Sequence, residues 1–265
     1  MFPSFELFGR TISMYAVCAL VGILLVLLIT YKLAKKKGID EFEMLYMMLF
    51  AFVGVLVFSH ILYAFTKIDA IVFVFSHLEM IKSFDDFITA VAFVFGGSVF
   101  YGGLIGAIIT FIIYIKIKKL DFGDYSDLGA LAIPLFHFFG RIGCFLSGCC
   151  YGVEWKYGFV YENSLVESAN HVARFPVQLV EAAFNLLLFF LLYYLYKRGK
   201  AQHKLIAVYL VTYPVCRFVL EFFRGDTYRG FVGVFSTSQL ISIILFIVGV
   251  TWLIAARFKK NQNVS

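Results

Sequence analysis

Repeated apolar runs constrain this chain more than any other feature of its sequence. An α-helix rises 1.5 Å per residue, so about 20 apolar residues carry it across the hydrocarbon of a bilayer. Runs of that order lie at 11–31, 42–63, 128–146, 175–196, 205–223 and 235–256. One more follows the glycine-rich segment 96–106 and ends at 116–119. Hydrophobic residues make up 62% of the chain and charged ones 15%, against about 25% charged in soluble domains. The expected fold is all-α and polytopic: about seven transmembrane helices in a single domain over 1–265. The 66–100 stretch fits less well. Its two apolar pieces, 70–75 and 87–95, flank Glu79, Lys82, Asp85 and Asp86 and are short for a span. They read as an outer-face arm of interfacial or re-entrant helices between spans two and three.

Charge sets the orientation. The net charge is +6, from 23 Lys and Arg against 17 Asp and Glu. Such a balance also occurs in nucleic-acid binders, but its distribution here excludes that class. Fourteen of the basic residues sit in four clusters just after apolar runs: Lys32 with 35–37, Lys116 with 118–119, the set 197, 198, 200 and 204, and the set 257, 259 and 260. Lys and Arg are retained on the cytoplasmic side of a membrane protein. The reading puts the N-terminus outside, the C-terminus in the cytoplasm, the 121–127 loop inside and the 147–174 loop outside. The first ten residues lack the basic start of a cleavable signal peptide, and no small-residue cleavage site follows, so the first run is expected to stay as a helix.

Several polar residues are not explained by hydrophobicity. The segment 137–152 carries His137, Arg141, glycines at 140, 143, 148 and 152, and Cys144, Cys149 and Cys150. An arginine near hydrocarbon faces an anion, a counterion or water. Glycines let backbone N–H groups approach phosphate closely. Arg141 therefore reads as an anionic-headgroup ligand, against the blander option of a snorkelling helix end. Tyr213, Arg217, Glu221 and Arg224 are spaced four, four and three apart, which places them on one face of span six. They form either an electropositive pocket wall or a structural ion-pair ladder, with Asp226 and Arg229 beyond. Gln178 and Glu181 share a face of span five behind Pro176 and point into the bundle. The three clustered cysteines leave four options open: packed thiols, a disulfide from Cys144 to Cys149 or Cys150, a metal site, or a thiol nucleophile.

Four segments in order resemble the prolipoprotein diacylglyceryl transferase family. They are YGGLIG at 101–106, GRIGCFLSGCCYG at 140–152, FPVQLVEA at 175–182 and RFVLEFFRGD at 217–226. The resemblance covers nearly the whole chain. It implies a seven-helix enzyme of the bacterial plasma membrane. Such an enzyme moves the diacylglyceryl group of phosphatidylglycerol onto the lipobox cysteine thiol of a prolipoprotein signal peptide. Glycerol 1-phosphate leaves, a thioether forms, and no metal or organic cofactor takes part.

By the same resemblance, Arg141 and Arg217 hold the phosphate, and Glu221 and Arg224 support them. Tyr15 matches the family's first-helix tyrosine. Tyr101 stands where the family has His, a candidate base, and completes the catalytic set. Gly143, Cys144, Cys149, Gln178 and Tyr213 line the substrate site. The family has Asn where this chain has Cys144, Glu where it has Cys149, and commonly Asn where it has Ser147. Cys144 and Cys149 are therefore expected in polar pocket positions, with neither an obligatory nucleophile. Other readings are a related transferase using the same lipid with another outer-face acceptor, a non-catalytic lipid-binding membrane protein, and a structural membrane partner.

Overall fold

The computed structural model describes residues 2–164, 166–226 and 230–262. Seven of its helices are long and apolar enough to cross a membrane, as the sequence predicts. The chain divides into two compact units, Gly38–Asp121 and the remainder.

The smaller unit holds α2 (Glu41–Thr66), α3 (Ile68–Ser76), α4 (Phe84–Phe95) and α5 (Phe100–Lys118). Asp40 opens α2: its Oδ1 accepts the backbone N–H groups of Phe42 and Glu43 at 2.9 and 3.0 Å, which satisfies two otherwise orphaned donors. α2 and α5 pack closely because glycine leaves room. A Cβ on Gly106 would stand 2.2 Å from the Gly54 carbonyl oxygen. At the far end Glu43 pairs with Lys118 Nζ at 2.8 Å and accepts the Tyr114 hydroxyl. The expected arm consists of α3 and α4, at 9 and 12 residues too short to span. Ser83 and Asp86 form a capping box at the start of α4.

The larger unit opens with a hairpin, β1 (Ser4–Leu7) and β2 (Arg10–Ser13), which the hydropathy pattern does not reveal. It continues through α1 (Met14–Lys37), α6 (Phe122–Ser147), β3 (Glu154–Val160), β4 (Ala173–Arg174), α7 (Val177–Lys197) and α8 (Leu205–Leu220). The hairpin β5 (Phe231–Val232) with β6 (Phe235–Ser236) leads into α9 (Thr237–Gln262). α6 packs against α1, α7 and α8, while α8 also packs against α7 and α9.

Two expectations need correction here. The 121–127 segment is not a loop, because α6 begins at Phe122. Its acid has another task. Asp127 is buried, and its carboxylate accepts the backbone N–H groups of His203 and Leu205 at 2.6 and 2.9 Å. It thereby caps α8, whose own N-cap Lys204 offers no side-chain acceptor. The 147–174 segment is likewise more than a loop. Tyr151, Tyr161 and Ala169 form a small core, backed by Phe145 and Val166. The Arg174 guanidinium lies 4.3 Å from the Tyr151 ring centre and donates to the Ser168 carbonyl at 2.6 Å.

Candidate active site

One face of α7 is polar in an otherwise apolar helix. Gln178, Glu181 and Asn185, spaced three and four apart, are each at most 1% exposed. A buried carboxylate is very unfavourable unless cations and hydrogen bonds compensate it. Glu181 has both. Arg141 from α6 meets it edge-on, with Nε 3.0 Å from Oε2 and Nη2 donating to Oε1 at 3.1 Å. Arg217 from α8 brings Nη1 to 3.6 Å from Oε2. The Tyr213 hydroxyl donates to Oε1 at 3.0 Å, and His137 Nε2 stands 3.5 Å away. Arg217 is held in turn by Glu221 at 2.7 Å and donates to Ser238 Oγ of α9 at 3.0 Å. Two helices thus each direct a guanidinium group at one carboxylate on a third, and a second carboxylate balances the charge.

The structure brings together Arg141, Tyr213, Arg217 and Glu221 from the expected set. Tyr15 of α1 lies beside Gly143 of α6, where a Cβ on that glycine would stand 3.0 Å from the tyrosine ring. Arg224 is placed differently from expectation. α8 ends at Leu220 and a 3-10 turn covers Glu221–Phe223, so the helical spacing does not carry through to Arg224. Arg224 lies in extended backbone and binds Asp226 through two contacts, 2.7 and 2.5 Å. Its backbone pairs with Gly152, flanked by bonds from Val153 N–H to Phe223 O at 2.9 Å and from Gly225 N–H to Tyr151 O at 3.0 Å. The motifs at 140–152 and 217–226 are therefore hydrogen-bonded to each other through their backbones. Tyr101 lies near the start of α5, in the smaller unit. Arg229 falls outside the described residues.

Gln178 donates to the Cys149 carbonyl at 2.8 Å and to the Tyr161 hydroxyl at 3.0 Å, so it pins the turn after α6. Burial pushes the Tyr161 phenol above its ordinary value, with the Gln178 bond acting the other way. All five cysteines are free thiols, and the expected disulfide option is not realised. Cys144, Cys149 and Cys150 are half-buried, with sulfurs within 4.8 Å of one another. Cys149 Sγ donates to the Cys144 carbonyl at 3.7 Å, and the charges of Arg224 and Arg141 favour the thiolate form of Cys150.

The sequence marks Glu181 only as an inward-facing residue and His137 only by its place inside a span, yet both stand at the centre. The available signal for Glu181 was the 178, 181, 185 spacing of polar residues in an apolar helix. Ser238 gave no signal, being one of several hydroxyls near the start of α9.

A bundle of membrane-spanning helices with a buried arginine–carboxylate centre fits one class: multi-pass membrane proteins that carry a charged site among their helices. The family model for prolipoprotein diacylglyceryl transferase matches residues 4–255. The chain belongs to that family and is a transferase. A protein of Clostridium tetani (strain Massachusetts / E88) named phosphatidylglycerol–prolipoprotein diacylglyceryl transferase is 33% identical over 259 residues, covering 97% of this chain and 98% of that one. A Clostridium perfringens (strain 13 / Type A) protein of the same name, numbered 2, is 30% identical and covers 92% of this chain and 91% of its own. A relative from Campylobacter hominis, similarly named, is 29% identical and covers 99% and 95%.

Proposed function

We propose that the chain, acting as one transferase domain in a bacterial plasma membrane, transfers the diacylglyceryl group of phosphatidylglycerol to the lipobox cysteine of a prolipoprotein signal peptide. The N-terminus lies outside and the C-terminus in the cytoplasm. The observation that carries this reading is the convergence of Arg141 and Arg217 on Glu181 inside the bundle. In the reaction the acceptor sulfur attacks the glycerol carbon and a C–S bond forms. The C–O bond to phosphate breaks, and its electron pair leaves with the phosphate oxygen. The thiol proton ends on that oxygen, so glycerol 1-phosphate departs and atoms balance.

Charge gathers on the phosphate as the C–O bond breaks, so fixed guanidinium groups favour the transition state over the bound lipid. Glu181 takes the Nε–Nη2 edge of Arg141 and fixes its plane. Glu221 holds Arg217 through Nη2, 2.7 Å from its Oε2. The planar fork of each guanidinium then presents its remaining donors in a set direction. Tyr213 supports Glu181, and Arg224 contributes field from its pair with Asp226. Tyr15, Gly143, Cys144 and Cys149 line the path of the substrates, and Gln178 holds that wall in place.

Purified protein, phosphatidylglycerol and a lipobox peptide provide the test. The expected product is the peptide with a thioether-linked diacylglycerol, seen by mass spectrometry, with release of glycerol 1-phosphate. Lipid turnover with no peptide adduct would point to another acceptor. No turnover of the lipid in folded protein would end the reading.

A further inference from the structure

The end of α6 gathers three thiols by a backbone device. Gly148 adopts φ +74°, Gly148 N–H bonds Phe145 O at 3.2 Å, and Cys149 N–H bonds Cys144 O at 3.1 Å. This is the paired 5→2 and 6→1 closure of a helix end on a left-handed glycine, which brings the side chains of the first and last residues into contact. Those residues are Cys144 and Cys149. Cys150, at φ +56°, turns back toward them. The Gln178 amide holds the Cys149 carbonyl, and Ser164 Oγ donates to the Gly148 carbonyl at 3.0 Å. The thiols are therefore set by the fold before any ligand arrives.

We propose that Cys144, Cys149 and Cys150 form a binding site for a soft, thiophilic metal ion of the zinc, cadmium or monovalent-copper type. Zn–S bonds are ~2.3 Å, which puts two thiolates on one tetrahedral ion ~3.8 Å apart. The three sulfurs already lie within 4.8 Å of one another, so side-chain rotation of about 1 Å closes the set. The cluster contains no carboxylate or imidazole. That donor set selects soft ions over magnesium or calcium. Arg141 and Arg224 lie within electrostatic reach of Cys150 and offset the charge of three thiolates. Cys18 lies on α1 and Cys216 on α8, apart from the cluster.

The test is titration of the full-length protein, reduced under anaerobic conditions in detergent, with cadmium chloride, read by the thiolate-to-cadmium charge-transfer absorption. One cadmium per chain is expected. Cys144→Ser, Cys149→Ser and Cys150→Ser should each weaken binding by at least the ~10–100-fold that loss of an outer-sphere partner produces. Cys18→Ser should leave it unchanged. Maleimide labelling of the parent protein, mapped by mass spectrometry, covers the case of a variant that does not fold. Cadmium should protect Cys144, Cys149 and Cys150 together and leave Cys216 reacting at its original rate. No absorption band, or labelling of the three at the metal-free rate, overturns the site. These readouts follow the metal, so their failure leaves the transfer reaction untouched, and failure of transfer leaves the metal site untouched.

Discussion

Glu181 and the two arginines differ in what their removal should do. Arg141→Lys and Arg217→Lys keep a cation beside a carboxylate and lose the planar fork. The expected result is a fall in turnover of about 100–1,000-fold, the scale of one lost transition-state contact, with thermal unfolding close to that of the parent. Both variants turning over lipid at the parent rate would remove the arginines from the mechanism. Glu181→Gln acts on the fold instead. It keeps the shape and leaves Arg141 and Arg217 without the carboxylate they share. Breaking a buried pair from one side costs about 3–5 kcal/mol, so this variant should unfold at a clearly lower temperature in the same detergent. An unchanged melting temperature would mean that water or lipid already compensates the arginines.

Two capping contacts make predictions at the scale of single elements. Asp127 lies on α6 and caps α8 by accepting two N–H groups. Asp127→Ala strands those donors in a buried place, at roughly 1–3 kcal/mol. Hydrogen exchange in the first turn of α8 should accelerate, while α9 stays protected. Uniform acceleration over both helices would argue for global loss instead. The second contact is the α4 box. The Ser83 hydrogen bond and the N–H groups of Lys82 and Ser83 hold the exposed Asp86 carboxyl below its ordinary range. A depressed folded value gives stability that is present above the unfolded pKa of about 3.9 and lost as pH falls through the folded one. Exchange protection of α4 should therefore hold at neutral pH and fall below about pH 4. Asp86→Asn should remove that dependence, and a pH step that survives the substitution would assign it elsewhere.

Across the molecule, the spans were legible because hydrocarbon thickness demands run length, and seven such helices are present. The arm was legible as too short to cross. The hairpins were not, since Ser4–Leu7 and Arg10–Ser13 pair through backbone groups that leave little trace in side-chain pattern. At the site, Arg141 and Arg217 stood out as charges in apolar surroundings. Arg224 was misplaced because helical spacing was extended past Leu220, where the backbone tightens and then leaves the helix. Glu181 was underrated because its worth depends on two partners about 40 residues away on either side, a relation no local spacing encodes. The four basic clusters that follow apolar runs make a prediction at this scale. Single-cysteine replacements at Lys36, Lys118 and Lys200 should be labelled from the cytoplasmic face alone. Labelling of Lys36 and Lys118 replacements from opposite faces would overturn the orientation.

The pairing of Arg141 with Glu181 also bears on how the chain enters the bilayer during synthesis. α6 carries the cation, and its counter-charge lies on α7, which is made later. Arg141 stands near the end of α6, where a lone helix bears less than the about 2.5–3.5 kcal/mol that an arginine at its centre would cost. The counter-charge for Arg141 is therefore completed only once α7 has been made. Arg217, by contrast, travels with its own carboxylate, Glu221, four residues ahead. The two arginines of the centre thus differ in where their partners lie along the chain: Arg217 has a carboxylate within its own span, while the carboxylate of Arg141 is on the next one.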